Sequence, residues 1–297
     1  MSSRPSPEPP RRRPVRVAAV QTEGGLDVER NVEGVRRQLV SLGADDGLDL
    51  VVLPEMFMFR ALGERPIEEV AVPADSEVDR WLAAEARRIG AHLVAGLLRR
   101  EADGRVRNET VVLDRSGACV GRYHKTHLFD APGNEAESRH VQAGDHLLVV
   151  DADFGTFGLV VCYELRFPEI SRELAAAGAE LLVVPNSWPT GGAARADEDL
   201  TLLLAATALS AQAPVVHANQ VGRAGSLDLC GQTGVLSPRG CPVAVAGPGV
   251  EIVVAELDLA DVEATRRTRL VLEHRRPELY RPGAVRRTGA NARSAWD

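Results

Sequence analysis

Three polar side chains, Glu55, Lys125 and Cys162, each stand just beyond an apolar run that reads as a strand. Glu55 follows Leu50-Val51-Val52-Leu53-Pro54, Lys125 follows Cys119 to Tyr123, and Cys162 ends Leu159-Val160-Val161. Ends of strands are where α/β sheets tend to carry their working residues. A free thiol, with a pKa of ~8.5, is only a few per cent thiolate near pH 7 and needs a base. Glu55 could take that proton, and Lys125 could hold the negative charge of a tetrahedral intermediate. The set therefore suits acyl transfer through a thioester. In Cys162-Tyr163-Glu164-Leu165-Arg166-Phe167-Pro168-Glu169, Pro168 fits the first turn of a helix, where its missing N–H costs nothing. Strand, sharp turn and helix are predicted, with helix N-terminal N–H groups aimed at the thiol. Taken singly, each residue also has an ordinary explanation: a buried structural cysteine, an acidic cap or ion-pair member, a solvated lysine.

The elements that must position these groups alternate along the chain. Val15 to Val20 is an apolar strand, and Asp27 to Leu42 an amphipathic helix with Asp27 as N-cap and Val28, Val32, Val35 and Leu39 on one face. Leu48 to Leu53 is a second strand, Ser76 to Ile89 a helix, and Ala91 to Leu98 a strand. Val106 to Leu113 and Cys119 to Tyr123 form a hairpin around Asp114-Arg115-Ser116-Gly117. Strands at Leu147–Val150 and Gly158–Val161 follow, then a helix to about Ala177 and a strand at Glu180–Val184. A helix over Ala196–Ala211 precedes a strand at Val215–Asn219. Short strands fill Cys230 to Leu257, and a last helix runs from Asp258 to about Glu273. Hairpins interrupt the βαβ pattern, which predicts two sheets between helix layers rather than one doubly wound sheet.

Composition bounds the rest. The 297 residues suit one large α/β domain, and the net charge of −7 with no basic stripe argues against nucleic acid. No apolar run approaches the ~20 residues that a membrane span needs. Met1 to Pro14 is rich in Ser, Pro and Arg without an apolar core, which predicts a disordered arm and no secretory signal. Residues 15–280 form the expected domain, with 281–297 as a Pro/Gly/Arg-rich tail. Cys119, Cys162, Cys230 and Cys241 lack paired spacing, which predicts reduced thiols in a cytoplasm. No Cys/His set has zinc-ligand spacing.

The joint pattern says more than its parts. Leu53-Pro54-Glu55-Met56-Phe57, His124-Lys125-Thr126-His127-Leu128-Phe129-Asp130 and Cys162 to Glu169, in this order, resemble the nitrilase (carbon–nitrogen hydrolase) superfamily. The resemblance covers about Val15 to Tyr280. It takes in Gly178 to Pro185 and His274 to Tyr280, and is greatest to the Nit branch of ω-amidases and deaminated-glutathione amidases. It implies a four-layer α-β-β-α sandwich, a homodimer, a Glu-Lys-Cys triad and no metal or organic cofactor. By this resemblance Glu55 is the general base, Lys125 the oxyanion-stabilising lysine and Cys162 the nucleophile. Tyr163 supplies a second oxyanion donor through its N–H. Glu137 is the additional glutamate near the lysine, although Glu135 competes for that assignment. Arg166 reads the far carboxylate of acidic substrates, unless a salt bridge to Glu164 or Glu169 occupies it. Trp188, in Asn186-Ser187-Trp188-Pro189-Thr190-Gly191-Gly192, is placed among the substrate contacts.

The chain departs from that pattern at Thr207-Ala208-Leu209-Ser210-Ala211, where relatives carry an arginine and an acid, and Glu164 stands where the Nit branch has Asp. Losing both charges together suggests a lost ion pair that the fold tolerates. No G-x-S-x-G elbow, P-loop or G-x-G-x-x-G occurs. The expected activity is hydrolysis of a small amide, ω-amidase-like on acidic monoamides. Rival readings are a nitrilase, an N-carbamoyl amidase, an acyl-transferring biosynthetic enzyme, a papain-like Cys–His pair, and a catalytically silent dimeric scaffold.

Overall fold

The computed structural model describes residues 13–130, 136–190 and 196–280; most of the expected N-terminal arm and all of the expected tail lie outside the described residues. The chain opens with strand β1 (Val15–Gly24), helix α1 (Val28–Leu39) and strand β2 (Leu50–Val52). A short helix α2 (Ile67–Val70), strand β3 (Val72–Pro73), helix α3 (Glu77–Ile89) and strand β4 (His92–Arg100) come next. Strands β5 (Val106–Leu113) and β6 (Cys119–His124) form the predicted hairpin. Strands β7 (Val149–Ala152) and β8 (Gly155–Leu159), helix α4 (Pro168–Ala176), strand β9 (Leu181–Pro185), helix α5 (Ala196–Ala211) and strand β10 (Val215–Ala218) follow. The chain then makes strands β11 (Gln220–Ala224), β12 (Leu227–Cys230), β13 (Gly234–Leu236), β14 (Pro242–Val245) and β15 (Glu251–Leu257), and helix α6 (Ala260–Thr268).

Two sheets result. One has the order β12-β11-β1-β2-β4-β5-β6, with β15 also pairing with β1 and β3 with β4; the other runs β14-β13-β10-β9-β8-β7. The period-2 pattern of β1 sorts its side chains between two cores. Val17 and Ala19 join the cluster between the sheets with Phe157, Leu159 and Val183. Ala18 and Val20 face the opposite way, onto Val35 and Leu39 of α1 and Leu82 and Ala86 of α3. Helices α4 and α5 cover the second sheet through Ile170, Leu174, Leu200 and Leu204. Each buried Val, Leu, Ile or Phe in these layers contributes about 1.5–3 kcal/mol to the α-β-β-α stack.

The helix starts follow from local chemistry. Asp27 accepts the N–H of Arg30 at 2.9 Å, and Ser76 with Asp79 closes a capping box at the start of α3. Two expectations are corrected. The last helix stops at Thr268 rather than near Glu273, because Gln212 Nε2 takes the carbonyl of Arg269 at 2.7 Å and that residue is extended. A hairpin, β11 to β12, precedes the predicted series of short strands; Gly222 and Gly225, both at positive φ, obscure its alternation. The Thr207–Ala211 segment packs α5 against α4, with the Ser210 and Ser171 hydroxyls 3.1 Å apart. Among the described residues, no helix is long and apolar enough to cross a membrane.

Candidate active site

The second sheet carries the thiol. Val160 donates to the carbonyl of Val183, and Cys162 then turns with φ at +50°, a left-handed conformation that costs a non-glycine residue about 1–3 kcal/mol. It begins a single 3₁₀ turn, Cys162–Arg166. The α-helix begins, as expected, with Pro168 in its first turn. Phe167, which precedes a proline, is held at φ −112° and ψ 86°, outside the helical region, and α4 resumes at Pro168. Inside the turn, the fully buried Glu164 accepts the Val161 N–H at 2.8 Å. The same carboxylate accepts the Tyr123 hydroxyl, the Thr126 N–H and the Thr126 hydroxyl, each at 2.7 Å. Glu164 thus ties the cysteine turn to the residue that follows Lys125. Burial and that facing carboxylate push the Tyr123 phenol well up, so it stays a donor.

The first sheet carries the charges. Glu55 leaves β2 through Pro54, and its own N–H donates to the Asn186 carbonyl at 3.2 Å. Lys125, just past β6, sends Nζ to Glu55 Oε1 and to Glu137 Oε2, each at 2.8 Å. Asn108 Nδ2 bridges the same two carboxylates, at 2.8 Å to Glu55 Oε1 and 2.8 Å to Glu137 Oε1. Glu137 also accepts the Phe129 N–H at 2.9 Å. Glu55 Oε2, buried, has no hydrogen-bond partner among the described residues. The strand end holding Glu55 lies directly on Gly96 of β4, where a Cβ would stand 2.5 Å from the Glu55 Cα and 2.7 Å from the Pro54 carbonyl oxygen. Those are backbone atoms that cannot swing away. Gly96→Ala is therefore expected to lower kcat by about 100-fold while costing about 1–3 kcal/mol of stability; a matched thermal melt and activity assay would show both losses together.

The electrostatics follow from burial. Burial opposes the Lys125 ammonium, but Glu137 and Glu55 hold it protonated well above the ordinary lysine range. Burial opposes the Glu55 carboxylate, yet Lys125, Arg60 and Asn108 keep its pKa below the usual range. Burial and the Glu55 charge push the Cys162 thiol up; Lys125, the Ser187 N–H and Arg60 pull the other way. The resting arrangement is a neutral thiol, a carboxylate with one oxygen unpartnered, and an ammonium clamped between two acids.

The periphery holds the remaining predicted residues. The Tyr163 ring makes edge contacts with Phe129, at 5.1 Å between centroids, and with Phe167 at 5.4 Å. Arg166 pairs neither with Glu164 nor with Glu169; Nη2 donates to Asp199 at 2.9 Å, and its guanidinium lies 5.2 Å from the centroid of the buried Trp188 ring. Trp188 donates its N–H to Asn219 Oδ1 at 2.9 Å. Glu135, the rival of Glu137, lies outside the described residues. Asn108, Arg60, Ser187 and the anchoring role of Glu164 escaped sequence reasoning. The one available signal was the single charge of Arg60 inside the apolar run Met56–Leu62; Asn108, between Arg107 and Glu109 in β5, gave none. Glu101, Glu109 and His124 converge closely enough to suggest cation ligands, but Glu109 already accepts Arg99 at 2.7 Å and Arg122 at 2.9 Å, which opposes a metal.

Fold and site together define an enzyme class. The sequence profile of the carbon–nitrogen hydrolase family matches residues 16–267, and the chain belongs to that family, enzymes that act on C–N bonds other than peptide bonds. It is 33% identical over 275 residues to human deaminated glutathione amidase, covering 89% of this chain and 83% of that one. The crystal structure of the Caenorhabditis elegans NitFhit protein superposes with a TM-score of 0.82 at 29% identity, covering 91% of this chain and 67% of that one. A mutant of the amidase from Nesterenkonia sp. AN1, with the acetamide moiety of fluoroacetamide added covalently at its active-site cysteine, superposes with a TM-score of 0.75 at 26% identity. It covers 93% of this chain and 98% of that one.

Proposed function

We propose that this chain is a thiol-dependent amidase that releases ammonia from a small-molecule amide, with Cys162 as nucleophile, Glu55 as base and Lys125 as oxyanion clamp. One observation carries the reading: the buried Lys125 ammonium touches Glu55 at 2.8 Å while both charges act on the thiol of Cys162. The proton of Cys162 passes to Glu55 Oε2 as sulfur attacks the amide carbonyl carbon. The carbonyl oxygen becomes an oxyanion held by Lys125 Nζ and the Tyr163 N–H. The C–N bond breaks, nitrogen takes the proton from Glu55, and ammonia leaves a thioester on Cys162. Water then gives a proton to Glu55 and its oxygen to the acyl carbon. The second tetrahedral intermediate releases the acid and restores the thiol. Glu137 and Asn108 hold Lys125 and Glu55 in register throughout. The covalent acetamide adduct on the active-site cysteine of the Nesterenkonia amidase mutant supports a cysteine as nucleophile.

Kinship with deaminated glutathione amidase supports an amide that carries a distant carboxylate, bound by Arg166 over Trp188. A charge-assisted hydrogen bond contributes about 1.5–3 kcal/mol, so ω-monoamides of short dicarboxylic acids should exceed neutral amides of equal length by roughly 10- to 100-fold in kcat/KM. Arg166→Leu should erase that preference and leave the neutral amide nearly unchanged. Ammonia release from a panel of amides, carbamoyl compounds and nitriles tests the reaction class. Equal efficiency of a matched acidic and neutral pair in the wild type would remove the carboxylate assignment and leave the thiol chemistry standing. The same reading carries a cytoplasmic homodimer. Leu202 and Leu209, two turns apart on α5 and 68% and 49% exposed, support an apolar contact between copies.

A further inference from the structure

Arg60 is the one charged residue in Met56–Leu62, a run whose six other members are apolar and at most 6% exposed; Arg60 itself is 7% exposed. Burying a guanidinium is costly unless its charge is used. Its Nε donates to the carbonyl of Ser187 at 3.2 Å, across 127 residues of chain. That carbonyl belongs to the Ser187–Trp188 peptide, whose N–H is held by Asn219 Oδ1 at 2.9 Å. The preceding peptide, Asn186–Ser187, gives its carbonyl to the Glu55 N–H at 3.2 Å, while the Ser187 N–H acts on Cys162. The Asn186–Ser187 peptide therefore couples the base to the nucleophile, and Arg60 fixes the peptide that follows it.

Charge counting points the same way. Glu55, Glu137 and Lys125, each at most 4% exposed, sum to −1, and the buried Glu164 adds another negative charge from the cysteine turn. A thiolate formed there without a second cation would be strongly opposed. We propose that Arg60 is a positioning residue of the thiol chemistry, holding the Ser187 peptide against Cys162 and supplying the second buried positive charge that lets its thiolate form. The proposal rests on Cys162 being the nucleophile. The groups acting on the sulfur are Glu55 and Arg60 from the segment after β2, Lys125 from the end of β6, and the Ser187 N–H from the loop after β9.

The test reads the sulfur directly. Iodoacetamide, itself a primary amide, alkylates a thiolate by displacing iodide, and peptide mass mapping follows Cys162 against the exposed Cys119 from pH 5 to pH 10. Arg60→Gln keeps a donor but loses the charge. At each pH where the thiol is labelled it should slow Cys162 labelling about 10-fold against wild type with Cys119 unchanged, and lower kcat by at least ~10-fold with KM within ~3-fold. Arg60→Lys keeps the charge and loses the guanidinium geometry, so its labelling rate should stay within ~3-fold of wild type while kcat falls about 5-fold. A folded Arg60→Gln labelled at the wild-type rate overturns the proposal. If Arg60→Gln does not fold, Arg60→Lys decides: wild-type kcat, or labelling slowed about 10-fold, overturns it. A wild-type Cys162 that iodoacetamide never labels, with turnover not lost on treatment, would instead contradict the thiol-amidase reading beneath it.

Discussion

Cys162→Ala is expected to abolish amide turnover, with kcat lowered by at least ~10⁴-fold, because the proposed acyl bond is made to its sulfur. The fold should survive. The buried cysteine sits in a turn whose geometry is held by Glu164 through Val161, Tyr123 and Thr126, not by the sulfur. A change in stability within about 1 kcal/mol is expected, since only a buried and poorly solvated thiol is removed. Ammonia assays beside a thermal melt check both halves. Retained turnover in a folded Cys162→Ala would transfer the nucleophile to another residue.

Lys125→Met should be nearly as damaging to catalysis and much more damaging to the fold. Losing the ammonium removes one oxyanion donor, worth about 10²- to 10³-fold in kcat, and leaves Glu55 Oε1 and Glu137 Oε2 facing each other without their shared cation. Breaking a buried pair from one side costs about 3–5 kcal/mol. The sign of its pH dependence follows. In the wild type the Glu55 pKa is held below the usual carboxylate range, so its stabilising contribution is present at neutral pH and is lost as pH falls through the folded value. In Lys125→Met the facing acids push one carboxyl above that range, and a proton resolves the repulsion. The stability gap between variant and wild type should therefore be widest near pH 7 and narrow toward pH 4, as urea denaturation at both values would show. A gap that widens toward acid would contradict the buried ion cluster. A variant changed only in KM would make Lys125 a substrate-binding residue.

What could be read before the structure was what local patterning controls. Apolar runs end at Glu55 and Cys162, and the second strand of a hairpin ends at Lys125, so their delivery to strand ends was legible, as were the Asp27 and Ser76 helix starts. The two-sheet sandwich was legible because hairpins interrupt the helix–strand alternation. Long-range polar pairing was not. Asn108 looks like an interruption of β5, and only folding places its amide between Glu55 and Glu137, 53 and 29 residues away. Glu164 and Glu169 stood as the alternative partners of Arg166 to a substrate carboxylate, yet Glu164 takes hydrogen bonds from Tyr123, Thr126 and Val161, while Arg166 finds Asp199 on α5. The start of α4 was legible in Pro168, whereas the 3₁₀ turn from Cys162 to Arg166 that precedes it was not.

The central claim is a thioester on Cys162 resolved by Glu55, and the mass of the trapped enzyme tests it most directly. Glu55→Gln should acylate slowly and deacylate more slowly still, because the same carboxylate handles protons in both steps. Incubation with a reactive small amide and rapid acid quench, followed by peptide mapping, should place one acyl group on the peptide carrying Cys162, and hydroxylamine should remove it. An adduct on Cys119, Cys230 or Cys241, or turnover with no adduct under conditions where deacylation limits the rate, would contradict the account.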